Sequence, residues 1–148
     1  VYDKPTHHFV GSFIGNPPMN FIHANIEKYN GKLVARVGEF MIPPDENLIA
    51  RLSSYEGKQV WLGIRAENME ALRSPADDAL AVTVHVVEPL GSMNLLTIHA
   101  QGETIKLSTH PDFTVSPNEQ IWVRFPANKI RWIDKDSGMS IVPDLAMA

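Results

Sequence analysis

The chain has 148 residues, 44% of them hydrophobic and 20% charged, with a formal net charge of −4; this is one domain of ordinary size, or two small lobes sharing a core. It contains no cysteine, which excludes a disulfide framework and a thiolate metal site. Lysines and arginines stand singly along the sequence, unlike the basic clusters that nucleic acid or acidic lipid demand, and no apolar run approaches the ~18 residues of a membrane-spanning helix.

Near the amino end, "FVGSFIGNPPMNF" carries Phe9, Val10, Phe13 and Ile14 at the spacing of a helix with one apolar stripe. Asp3 or Thr6 caps it, Pro5 suits its first turn, and Gly15 followed by Pro17 and Pro18 stops it. A helix of roughly ten residues is marginal alone and must lie on something. Beyond the prolines the period changes to two. "FIHANIEKY" sets Ile22, Ala24 and Ile26 on one side of a half-buried strand, Asn30-Gly31 makes a two-residue hairpin turn, and "KLVARV" returns. "PPDENLIARLSSYEG" predicts a helix opened by Pro44 and Asp45, striped by Leu48, Ile49 and Leu52, and closed by Gly57. "QVWLGIR" has so little polar content that it predicts a strand covered on both faces.

Residues 67–78 read as a loop with one helical turn. "ALAVTVHVVEPL" is a long strand, Gly91 a corner, "SMNLLTIHA" the next strand, and Gln101-Gly102 turns into "ETIKLSTH". A loop over 111–118 leads to "EQIWVRF"; then "ANKIRWID" runs into the turn at Lys135–Gly138, and a short strand and tail follow. Roughly eight short strands, with turn signals at the spacing of a barrel or sandwich, predict a mainly β fold with two helices.

Catalytic and metal signatures do not emerge. None of the nine glycines forms a phosphate-cradling loop, and there is neither a serine-nucleophile elbow nor a zinc-binding helix. His7 and His8 are adjacent, so in a helix their side chains diverge by about 100° and cannot share an ion. His85 and His99 lie on strands that pair if the hairpin forms, yet spacing places no carboxylate beside them, and no metal is assigned. Asp134, Asp136 and Gly138 hint at a calcium loop, but Met139 stands where that loop needs glycine, so a hairpin turn is the better reading. Trp61, Trp122 and Trp132 lie in apolar strands rather than among cations, which argues against nucleic-acid binding.

At "GIRAEN", Gly63 to Asn68, the sequence resembles the G-[IV]-R-P-E-H motif of the carboxy-terminal domain in ATPase subunits of sugar-importing ABC transporters, the maltose-importer type. "VYDKPTHHFVGSFIGNPPMNF" is similar to the segment leaving that family's nucleotide-binding domain, "VEPLG" to its V-E-x-L-G, and "IWVRFPANKIRWIDKDSG" to its closing strand and hairpin. The resemblance covers essentially the whole chain in order. It implies a transport-associated oligonucleotide/oligosaccharide-binding fold, with OB-like barrel lobes over residues 19–148. It also implies a linker helix, residues 1–18, arriving from an ATPase domain absent from this sequence, where ATP and magnesium would bind. The linker residues so implied are Phe9, Phe13, Gly15, Pro17, Pro18, Met19 and Asn20. The partner-binding or loop-organising residues are Gly63, Ile64, Arg65 and Glu67, with Glu88, Pro89, Leu90 and Gly91. Arg65 and Glu67 share strand parity and are positioned to pair.

In this reading the segment is a non-catalytic control and dimerisation domain. It sits at the inner face of the plasma membrane through the transporter's membrane subunits, and in some family members it receives a regulatory protein. Barrels that dimerise alone would expose an apolar face, for which the tryptophan-bearing strands are the candidates. Ala66 and Asn68 depart from the motif's proline and histidine, so no contact of that histidine carries over. The competing reading is a stand-alone barrel that binds a small oxyanion such as molybdate, with Ser108 and Thr109 of "LSTH" as donors.

Overall fold

The computed structural model describes residues 19–142; the predicted amino-terminal helix and the carboxy-terminal tail lie outside the described residues. Within them the chain forms eleven strands and a single short α-helix. Two antiparallel sheets enclose the core. The first has six strands in the order β11-β10-β4-β1-β2-β3. Its members are β1 (Met19–Tyr29), β2 (Lys32–Val37), β3 (Phe40–Ile42), β4 (Gln59–Arg65), β10 (Arg131–Asp134) and β11 (Ser140–Ile141). The second runs β5-β9-β6-β7-β8, from β5 (Glu70–Leu72), β9 (Gln120–Arg124), β6 (Ala79–Pro89), β7 (Asn94–Ala100) and β8 (Glu103–Thr109).

The period-two reading holds strand by strand. Ile22, Ala24 and Ile26 of β1 are fully buried, and Leu62, Val82, Leu96, Ile98 and Ile105 join them in one cluster that spans both sheets. β4 is buried on both faces, as its composition predicts. Val60, Leu62 and Ile64 face the main core, while Trp61 packs with Phe21 and Ile133 on the other side of the sheet. The turns are those the glycines dictate. Asn30-Gly31 and Gln101-Gly102 carry positive φ at both residues, the geometry of a tight hairpin whose twist matches its strands.

Three expectations need correction. The helix predicted from Pro44 to Gly57 is broken into a 3-10 turn over Glu46–Leu48, an α-helix α1 (Ile49–Leu52) of four residues, and a second 3-10 turn over Ser53–Tyr55. Leu48 and Leu52 are buried, but Ile49 is 40% exposed. The serines explain the early stop. Ser53 Oγ donates to Ala50 O and Ser54 Oγ to Arg51 O, both at 2.8 Å, which ties up carbonyls a longer helix would need. Second, β5 lies inside the predicted 67–78 loop, and β3 was not expected either; a three-residue strand is too short to show alternation. Third, the tryptophans do not form an exposed face. Trp61 is 7% and Trp132 only 1% exposed, and Trp122 is half-buried.

Candidate interaction surface

Buried polar groups stitch the two sheets together. Asn20, at the start of β1, is 7% exposed. Its Nδ2 donates to Lys106 O at 2.8 Å and to Ile64 O at 3.3 Å, and its Oδ1 accepts from Lys106 N at 2.8 Å. Lys106 lies on β8, the outer strand of the second sheet, so one side chain supplies an edge strand with the backbone partner it lacks. Three residues on, His23 Nδ1 meets Glu103 Oε2 at 3.1 Å across the same seam. The linker resemblance placed Asn20 at a domain junction; the structure gives it a joint inside the barrel. Its one signal in the sequence is a lone polar side chain in the apolar run "MNFI".

The two motifs of the resemblance occupy different sheets. Gly63 and Ile64 lie in β4, which ends at Arg65, and a 3-10 turn over Ala66–Asn68 follows. The turn removes the shared parity of Arg65 and Glu67: Ala66 is fully buried and Glu67 is exposed. Glu88, Pro89, Leu90 and Gly91 form the tip of the β6–β7 hairpin and are all exposed. Gly91 turns the corner at φ +90°, and Leu90 N donates to Met93 O at 2.9 Å. On that hairpin Val86 and Leu90 are 40% and 47% exposed. A bulge between Val84 and Val86 sets His85 beside His99, with ring centroids 4.7 Å apart. Among the described residues, no group of three metal-ligating side chains gathers there or elsewhere.

A groove of about 450 Å³ runs along β3, lined by Phe40, Ile42, Phe125 and Pro126 with Asp78 and Arg124 at its polar end. Arg124 Nε donates to Asp78 Oδ2 at 2.8 Å and its Nη1 to Glu70 Oε1 at 3.0 Å. The hydrogen bond from Arg124 holds the Asp78 carboxyl below the usual carboxylate range, and Asp78, then Glu70, raises the guanidinium. The acidic turn at Asp134 is structural. Asp134 Oδ1 accepts from the backbone of Asp136 and Ser137, and Oδ2 from Tyr55 Oη at 2.6 Å. Those bonds, Tyr55's first, lower the Asp134 pKa, and the bond to Asp134, then burial, raises that of Tyr55. The hydroxyls of "LSTH" are engaged locally, Ser108 Oγ with Met93 Sδ and Thr109 Oγ1 with His110 O.

Residues 15–69 match the MalK OB fold domain and residues 56–133 match the TOBE domain. The chain belongs to the TOBE domain family. It is 32% identical over 148 residues to the trehalose/maltose import ATP-binding protein MalK of Thermococcus litoralis, covering 95% of this chain and 39% of that protein. It is 33% identical to the sulfoquinovosyl glycerol transport ATP-binding protein SmoE of Agrobacterium fabrum, over 95% of this chain and 38% of that one. The sn-glycerol-3-phosphate import ATP-binding protein UgpC of Vibrio vulnificus is 37% identical across 84% of this chain and 32% of its own. The chain thus spans well under half the length of the curated relatives it matches. Among solved structures, the molybdate-binding protein ModG superimposes with a TM-score of 0.52 at 14% identity, over 76% of this chain and 94% of its own; at that identity the likeness concerns the fold. The MalK OB and TOBE matches overlap on residues 56–69. That overlap holds β4 and the turn after it, the stretch that carries "GIRAEN".

No helix among the described residues is long and apolar enough to cross a membrane.

Proposed function

We propose that this TOBE domain is the control and dimerisation module of the ATP-binding subunit of a carbohydrate ABC importer, and that it does not itself hydrolyse ATP. The observation that carries the reading is the succession of the MalK OB fold and TOBE matches along the chain, 15–69 and then 56–133. Relatives named as import ATP-binding proteins extend well beyond it. In the reading, ATP and magnesium bind in a further domain of the parent polypeptide, and that parent sits at the inner membrane face through its contact with membrane subunits.

A second copy of the barrel has two described surfaces to cover: the apolar groove beside β3, and Val86 with Leu90 on the β6–β7 hairpin. A regulatory protein, where one exists, would compete for or stabilise that pairing. The decisive experiment is sedimentation equilibrium of the parent subunit without nucleotide, with and without residues 19–148. The intact subunit is expected to dimerise and the truncated one to remain monomeric. Equal association of the two would refute the dimerisation role, and ATP turnover by the pure 148-residue chain would refute the non-catalytic one.

A further inference from the structure

The β6–β7 hairpin carries a histidine pair that an irregularity in its own ladder assembles. Val84 pairs with Ile98 and Val86 with Thr97, so His85 is the extra residue of a bulge. Val84 and Ile98 are fully buried, which turns their neighbours His85 and His99 outward; both histidines are exposed. In a regular ladder residue 85 would stand diagonal to residue 99 rather than beside it. The bulge re-aims its side chain, and the two imidazole rings meet edge to face with centroids 4.7 Å apart.

The neighbouring strand β8 holds one of the rings. His99 stands opposite Thr104, and Thr104 Oγ1 lies 3.2 Å from His99 Nδ1. When Nδ1–H donates to that hydroxyl, the lone pair of Nε2 is left free. One cation works against simple charge attraction on this face: Lys106 Nζ donates to Thr97 Oγ1 at 2.7 Å, two residues from His99. An ion is therefore drawn here by directed bonds from imidazole and not by the local field. Imidazole suits zinc, nickel and copper, whereas magnesium and calcium need oxygen ligands.

We propose that His85 and His99 together bind a divalent transition-metal ion of the zinc, nickel or copper type, each through one ring nitrogen. No group of three ligating side chains gathers among the described residues, so the site is an open chelate with water in its remaining positions. Thr104 fixes the tautomer and the orientation of the His99 ring, the part that an outer hydrogen bond commonly plays for a metal-bound histidine. The ion ties β6 to β7 at the bulge, below the exposed Val86 and Leu90 of the same hairpin. This goes beyond the control-domain reading and does not depend on it.

Calorimetric titration of zinc chloride into the 148-residue chain tests the site, with magnesium chloride as the control. The expected result is saturable binding of zinc at one site and none of magnesium. Binding should be lost in His85→Ala and in His99→Ala and weakened about tenfold by Thr104→Val. It should persist when His7 and His8 are both replaced by alanine. Because only neutral imidazole ligates a metal, the affinity should also fall as pH drops from about 8 to about 5. Urea unfolding with and without zinc is the second readout: zinc should stabilise the parent chain and neither histidine variant, and the same curves show that the variants fold. No saturation at millimolar zinc, or binding that both His85→Ala and His99→Ala retain, overturns the proposal.

Discussion

Replacing Asn20 with alanine removes the amide that joins the two sheets, and its cost follows from what is left behind. Lys106 N–H and Lys106 C=O both lose their side-chain partner, and Ile64 O loses a weaker one at 3.3 Å. A buried polar group left unpaired costs about 1–3 kcal/mol, and Asn20 itself is 7% exposed, so water recovers only part of the loss. The sum is roughly 2–4 kcal/mol, a large share of the ~5–15 kcal/mol by which a domain is stable. For a chain of this size that lowers the thermal midpoint by roughly 5–15 °C. Asn20→Asp should be at least as costly, because a carboxylate presents only acceptors to the carbonyls of Lys106 and Ile64. Urea unfolding followed by tryptophan emission measures the loss. Asn25→Ala on the exposed face of the same strand provides the baseline, expected within about 0.5 kcal/mol of the parent. If Asn20→Ala loses less than ~1 kcal/mol, the sheets are held by apolar packing alone and the stitching argument fails.

Gly38 sits at φ +60°, and a Cβ there would lie 2.1 Å from Gln101 Oε1 and 2.7 Å from Gln101 Cβ. Gly38→Ala is therefore expected to cost about 1–3 kcal/mol, and Gln101→Gly in the same chain to restore part of it; a Gly38→Ala protein as stable as the parent would contradict this. Tyr55→Phe removes the first cause of the lowered Asp134 pKa, so that carboxyl should titrate closer to its ordinary value in a carbon-detected NMR titration. Because the folded-state pKa is the lower one, Asp134 contributes stability that is present above the unfolded value of 3.8 and lost as pH falls through the folded one. The Tyr55→Phe variant should thus lose its stability advantage over that acid window and begin acid unfolding at higher pH. An unchanged Asp134 titration would show that the backbone bonds from Ser137 and Asp136 suffice.

Most of the strand plan was legible because it rests on strictly local signals. Ile22, Ala24 and Ile26 alternate with polar neighbours, and they are the residues the core buries. Asn30-Gly31 and Gln101-Gly102 specify tight turns, and both carry the positive φ those turns need. The apolar composition of "QVWLGIR" announced a strand covered on both faces, and Trp61 and Leu62 are buried on opposite sides of it. What failed was short or decided by competition. β3 and β5 have three residues each, too few to show a period. In the helix after Pro44, the i, i+4 pair Leu48 and Leu52 was right, but Ser53 and Ser54 turned back onto the helix carbonyls and ended it.

The site was the least legible part, for a reason the geometry makes plain. Sequence spacing could not place Arg131 across from Gly63, a register that only the pairing of β4 with β10 sets. The same pairing gives "GIR" a physical meaning beyond a recognised string. The glycine admits the close approach of Met19 Cε and Arg131 O, which a Cβ would meet at 3.0 and 3.2 Å, and the arginine ends the strand where it gives way to a turn. Asn20 follows the same logic from the other side of β4, standing opposite Ile64 while reaching Lys106 on the second sheet. β4 therefore carries one partner of the barrel's internal joint, and the overlap of the two family matches falls on it.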